Sequence, residues 1–343
     1  MSRDKLLILG VVVLGLLGVA VYMKQKQDAA LGAPSVSNKD FPTISAPDDI
    51  DKISITNGDK GEIVLERVAD PHGAAGDGGP ATMWQLEKPV KAAASQQTVK
   101  DLVANLKDLK VDSAVNIKLD EAVRKDKQLD AAHAVHVVAY KGGEKKLDEL
   151  FGKSGPAGQL VVVTDKPDTV WAAKGYSAFL YTKEPKDFRD KEIFKFDDAT
   201  ASQVTVVNAH GTLSFTRGDG KPEKWAATLN KRPLERFAED KLKDLLRAYK
   251  ALNADDFADG KSLADTGLDK PEATVTIALK DGAGSYTLLV GKTATGSNRW
   301  AKREGDDTIV QITNYSAEWA TSDASKFQTP ADAGAPPSDA GKK

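Results

Sequence analysis

The chain of 343 residues contains no cysteine, only four histidines, and few aromatic residues, at 6%. Without cysteine there is no disulfide framework, no thiolate zinc site, no iron–sulfur cluster and no thiol nucleophile. Strong charge of either sign is also missing: 48 basic residues face 50 acidic ones, a net of −2. A dedicated nucleic-acid binder normally carries a basic footprint, so a nucleic-acid partner is not expected. At about 150 residues per domain the length suggests two domains.

One segment departs sharply from these averages. Leu6 to Met23 is a run of 18 residues without a charge. As a helix it would span about 27 Å, close to the hydrocarbon core of a bilayer. Arg3 and Lys5 precede it and Lys24 and Lys26 follow it. Gly18-Val19-Ala20 is a poor signal-peptidase site, and Val21, Tyr22 and Met23 continue the apolar run beyond it. The run exceeds a normal signal h-region of about 7–15 residues, which favours a retained anchor over a cleaved signal peptide. The similar positive flanks barely bias orientation. The layout of a short tail and a long following body suits a cytoplasmic tail over 1–5, an anchor over 6–23 and an extracytoplasmic body. The protein is thus expected to be single-pass in the inner membrane. Without residues 1–28 the remainder holds 44 basic and 48 acidic residues, a net of −4. It has no polybasic patch for anionic lipid.

Residues 24–47 are rich in Lys, Gln, Ala, Ser and Pro and read as a linker. Residues 329–343 have almost nothing apolar to bury against the entropy of ordering, and are expected to be a disordered tail. Asp70 to Ala81, rich in glycine, reads as a mobile loop between strands.

The body reads as two copies of one unit. Leu129-Asp130 matches Leu268-Asp269, Gly152-Lys153 matches Gly291-Lys292, and Tyr176-Ser177-Ala178 matches Tyr315-Ser316-Ala317, all at an offset of 139 without a gap. Upstream, Ile53-Ser54-Ile55 matches Val204-Thr205-Val206, Arg67 matches Arg217, and Trp84 matches Trp225. Each copy holds one amphipathic helix: Val99, Leu102, Val103, Leu106 and Leu109 share their spacing with Leu242, Leu245, Leu246, Tyr249 and Leu252. Alternation such as Val275, Ile277 and Leu279 against Thr274 and Thr276 predicts half-buried antiparallel strands. Hairpins are expected at Asn57-Gly58, Gly142-Gly143 and Asp281-Gly282. The expected fold is therefore α+β: an N-terminal transmembrane helix, then two tandem, internally duplicated domains of mainly antiparallel sheet with one amphipathic helix each. Each unit reads as three strands, a helix, then three or four strands. The domains fall at 48–180 and 198–328, joined by a connector over 181–197.

Several residues suggest chemistry and then fail a closer test. Gly152-Lys153-Ser154 and Gly291-Lys292-Thr293 look like the end of a P-loop. That motif needs a glycine where Leu147 and Tyr286 stand, and each Gly-Lys is expected to end a strand with no helix after it. His133 and His136 are three apart, so on a strand they point to opposite faces. At an offset of 139, His136 would stand where Val275 does, on the apolar face. His72 and His210 sit in loops, and no third ligand converges. A Gly-x-Ser-x-Gly elbow is absent. Ser2 to Lys5, the one Ser-x-x-Lys, precedes the membrane run. Asp70 and Asp77 lack EF-hand spacing. Trp84 and Trp225 could stack on carbohydrate, although their equivalent places favour core anchoring. Arg67 and Arg217, each closing a strand, read as structural. No catalytic, cofactor-binding or metal-ligating residue is assigned, and no cofactor is expected.

The chain resembles the bacterial domain-of-unknown-function family numbered forty-three forty. The residues carrying this are the N-terminal run, the early Ile-Ser-Ile strand, Trp84-Gln85-Leu86 with Pro89, Phe188-Arg189-Asp190-Lys191, and Thr266-Gly267-Leu268-Asp269-Lys270-Pro271 leading into a strand ending at Gly291. The first copy departs from this pattern, with Ala131-Ala132 after Leu129-Asp130. The resemblance implies membrane-anchored envelope proteins, some similar to proteins encoded beside ABC-type permeases and gliding-motility-like transporter components. It brings no catalytic residues. The expected function is a non-enzymatic accessory or binding subunit of a membrane complex such as an ABC-type transporter, with envelope protein partners. The alternatives are a standalone envelope scaffold or glycan-binding module, and a hydrolase with a site between the domains.

Overall fold

The computed structural model describes residues 40–70, 81–115 and 117–330. The membrane run, the linker up to residue 39, most of the Gly-rich loop and the tail beyond residue 330 lie outside the described residues. Among the described residues no helix is long and apolar enough to cross a membrane. The chain divides into two units between Asp190 and Lys191, inside the segment read as a connector. Tyr181 and Phe188 belong to the first core, Ile193 and Phe194 to the second.

The first unit begins with β1 (Lys52–Asn57), β2 (Glu62–Ala69), β3 (Thr82–Lys88) and the short β4 (Ala92–Ala93). Helix α1 (Gln96–Asp108) follows, then β5 (Lys110–Val115) and the short α2 (Glu121–Asp126). The unit closes with β6 (Val135–Lys141), β7 (Glu144–Gly155), β8 (Gly158–Val163), β9 (Val170–Lys174) and α3 (Ala178–Tyr181). These strands form one nine-stranded antiparallel sheet in the order β4-β3-β2-β1-β6-β7-β8-β9-β5. The chain meanders out from β1, crosses through α1 to the far edge at β5, returns to the centre at β6 and meanders outward again.

The second unit repeats this path with β10 (Ala201–Asn208), β11 (Gly211–Arg217), β12 (Trp225–Leu229), β13 (Arg232–Pro233), α4 (Glu239–Tyr249), β14 (Asp256–Phe257) and α5 (Leu263–Thr266). It ends with β15 (Ala273–Leu279), β16 (Ser285–Thr293), β17 (Arg299–Arg303), β18 (Val310–Ile312) and α6 (Asn314–Thr321). Its sheet order, β13-β12-β11-β10-β15-β16-β17-β18-β14, is the same path renumbered. The structure is mostly sheet and α+β, and the duplication is one of topology. The sequence reading missed the edge strand β5, the shorter helices, and the two-residue strands β4, β13 and β14, which are too brief to show a period.

The helical stripes behave as predicted. Ser95 caps α1 by accepting from the Thr98 N–H, and the helix buries Val99, Leu102, Val103 and Leu106 against one sheet face. In the second unit α4 buries Leu242, Leu245, Leu246 and Tyr249 in the same way. Each fully buried leucine contributes about 2 kcal/mol through apolar area removed from water. A smaller cluster on the opposite face, around Leu129, Leu160 and Val162, has a counterpart around Leu268 and Trp300.

The gapless offset of 139 needs correction. Ile53 pairs with Ala139 on β6, and its counterpart Val204 pairs with Ile277 on β15, so these strands correspond at 138. One residue more stands between Leu129 and β6 than between Leu268 and β15. The first hairpin is the tighter by one, turning at Gly142-Gly143 with φ of 57° and 82°, and the register returns to 139 on β7 and β16. On β8 and β17 it moves to 140, since Val161 pairs with Phe151 and Ala301 with Val290. A one-residue slip exchanges the faces of a strand. His136 therefore corresponds to Thr274 and stands on the face away from α1, not at the apolar position of Val275.

Candidate functional site

The repeated arginines and tryptophans, read separately in sequence, meet in space. The Arg67 guanidinium lies 5.0 Å from the Trp84 ring centre, and that of Arg217 lies 4.9 Å from Trp225. Both rings are buried, so neither is a free stacking platform. The second nitrogen of each arginine reaches backward to a short turn. Arg67 Nη2 donates to Pro47 O at 3.3 Å and pairs with Asp48 at 3.1 Å. Arg217 Nη1 donates to Ala199 O at 2.6 Å. The first helical residue holds the Trp backbone in each copy: Trp84 N donates to Gln96 Oε1 at 2.8 Å, and Trp225 N to Glu239 Oε2 at 3.4 Å. This corner ties the start of the unit, its third strand and its helix together.

The first corner adjoins a cleft on the sheet face away from the helix. It measures about 810 Å³ and is lined by charged side chains, including Lys52, Glu62, Glu66, Arg67 and Lys88, with Tyr140 beside them. Lys88 pairs with Glu62 at 2.8 Å, Ser54 Oγ donates to Glu62 at 2.7 Å, and Lys52 pairs with Glu66 at 3.3 Å. The bonds from Lys88 and Ser54 hold the Glu62 carboxyl below the usual carboxylate range. In the second unit a smaller hollow of about 380 Å³ lies beside Arg217 at the strand ends, around Glu223 and Lys280.

The sheet faces away from the helices differ between the copies. In the second unit Thr228, Ser214, Thr205, Thr276 and Thr287 stand directly opposite one another across five strands. Neighbouring strands lie about 4.8 Å apart, which makes this row a regular hydroxyl ladder. Thr276 and Thr287 hydroxyls are 3.2 Å apart. The same row in the first unit reads Lys88, Val64, Ser54, Val138 and Asp148.

Asp148 is the centre of a cluster on that face. Its Oδ1 lies 2.7 Å from His136 Nε2 and its Oδ2 accepts from Lys145 Nζ. Burial raises the Asp148 pKa, but the bonds from Lys145, His136 and Thr164 outweigh this, and the carboxyl stays below its ordinary value. Asp148 raises the Lys145 pKa in return. His133 lies apart, in the turn before β6, with Nδ1 2.8 Å from Asp130 Oδ1. The two histidines share no site. Among the described residues no group of three His, Asp or Glu is placed to hold a metal ion.

The Gly-Lys pairs have a packing explanation. A Cβ on Gly291 would lie 2.2 Å from Thr266 O, and one on Gly152 would lie 2.5 Å from Lys127 O. Glycine lets the segment after α2 or α5 pass over the strand. Lys292 Nζ then donates to Ala264 O of α5, and Lys153 N donates to Lys127 O at 2.7 Å. Neither pair precedes a helix, as a phosphate loop would require. In the first unit Gly152-Lys153 lies inside β7 rather than at its end.

The site features that sequence reasoning missed are the Asp148 cluster and the Arg–Trp stacks. The repetition of both members in both copies was the signal for the stacks. The cluster had none, because its members come together only through the pairing of β6 with β7.

No curated protein and no solved structure matches the chain. A family model does, over residues 84–271 and 258–332. The chain belongs to the family of the domain of unknown function DUF4340.

Proposed function

We propose that the chain is a membrane-tethered, extracytoplasmic, non-enzymatic accessory or binding subunit of a membrane complex such as an ABC-type transporter, anchored in the inner membrane by residues 6–23. The outer face of its first sheet is the recognition surface. The observation that carries this is where the copies diverge. Their helices and Arg–Trp corners are kept, while the face away from the helix is charged and clefted in one and hydroxyl-lined in the other. Alternating positive and negative groups around the first cleft suit a protein partner of complementary charge, since charge pattern fixes register and suppresses wrong partners.

The test is crosslinking in membranes, followed by purification through a tagged full-length chain. Recovery of a permease or another integral membrane protein supports the reading, and recovery of the chain alone counts against it. The hydroxyl ladder supports a second reading, a glycan-binding envelope module. Retention on peptidoglycan that is lost on replacing Thr205 and Thr276 would favour that reading.

A further inference from the structure

Strand β7 carries two adjacent carboxylates in opposite settings. Asp148 faces outward among its cationic partners. Glu149 faces inward between Leu147 and Phe151, opposite Val137 on β6 and Val163 on β8. It is 1% exposed, and neither carboxyl oxygen has a hydrogen-bond partner among the described residues. Its counterpart in the second unit is Leu288, which is fully buried at the same register. The first core thus holds an acid where its duplicate holds a hydrocarbon.

A buried carboxylate without a partner or counter-ion is strongly disfavoured against the neutral acid. The elements packed around Glu149 bring no cation. The core-facing residues of α1 are Val99, Leu102, Val103 and Leu106, and β6 and β8 contribute valines. Stacked on Phe151 are Tyr176 and Tyr181, themselves 4.6 Å apart, both pushed well above the ordinary phenol range by burial. They stay neutral alongside it. The one ionised neighbour is Asp148, whose negative charge opposes a second one. Burial, with a smaller push from Asp148, raises the Glu149 carboxyl to about 8.

We propose that Glu149 is a proton-operated latch: as the neutral acid it closes the first core, and loss of its proton opens the first unit while leaving the second, with Leu288 in its place, closed. The direction follows from linkage. Unfolded, the carboxyl releases its proton near its ordinary value of 4.5; folded, it keeps it until about pH 8. Between these values the folded state binds one proton more, so its stability falls as pH rises. The opening constant rises about tenfold per pH unit across that window and levels off above it. Because β7 also carries Asp148, opening there takes apart the His136–Asp148–Lys145 cluster on the outer face.

The test is hydrogen exchange of the full chain from pH 5 to pH 9, corrected for the intrinsic rate and read separately on peptides of β6–β7 and β15–β16. The wild type is expected to show the rise in the first pair and none in the second. Glu149→Leu should abolish the rise and lower the opening constant at pH 7.5. Glu149→Gln should abolish it while keeping the side-chain shape, and it carries the test if the leucine variant does not fold. A wild-type first unit without the rise, or a rise that persists in either variant, would overturn the proposal.

Discussion

At the residue scale, two adjacent side chains of β7 set opposite responses to pH. Asp148 titrates below its ordinary value, so the stability it adds is present above the unfolded carboxylate range and is lost as pH falls through its folded pKa. Asp148→Asn should flatten the acid limb of a stability-against-pH curve for the first unit, measured by denaturant unfolding at pH 2–6, and leave the limb above pH 6 in place. Arg67 is the other informative residue. Arg67→Ala removes the stack on Trp84 and the bonds to Pro47 and Asp48, with an expected loss of about 1–3 kcal/mol in denaturant unfolding. Arg217→Ala should cost a similar amount in the second unit. Both arginines and both tryptophans were legible as repeated positions. Their contact was not, because it depends on how β2 pairs with β3, which alternation alone does not fix. Glu149 was illegible for a related reason: a glutamate beside an aspartate reads as solvated until the strand's face is known.

At the element scale, the helices were the most legible part and the strand registers the least. A stripe at a period of 3.6 specifies one buried face, and α1 and α4 bury the residues it names. Leu102→Ala is expected to cost about 2–5 kcal/mol in unfolding free energy. The strands carried a subtler signal. On β6, Val135 to Ala139 is apolar at both faces apart from His136, so sequence comparison could slide it by one residue against β15 without a visible mismatch. Only the ladder of β6 against β1 fixes it. The Gly-Lys pairs show the reverse case, where a motif that resembles phosphate chemistry is fixed by backbone crowding. Gly291→Ala places a methyl within 2.2 Å of Thr266 O and must displace α5. A loss of about 1–3 kcal/mol or more is expected, seen as a fall in the second unit's melting temperature.

At the scale of the whole molecule, the chain is two versions of one nine-stranded unit with separate cores, one drawn from residues 41–188 and the other from 193–327. What the copies share keeps the fold; they differ on the faces away from α1 and α4 and, within the cores, at Glu149 against Leu288. The central claim is that the charged face of the first unit recognises a membrane partner and the hydroxyl face of the second does not. Glu66 and Thr216 hold equivalent places on these two faces, as partners of Lys52 and Gln203 in the matching ladders. A photo-crosslinking residue placed at each, in the full-length chain in its native membrane, makes the comparison direct. Adducts to an integral membrane protein from position 66 and none from position 216 are expected. Equal adducts from both, or adducts from position 216 alone, would contradict the account.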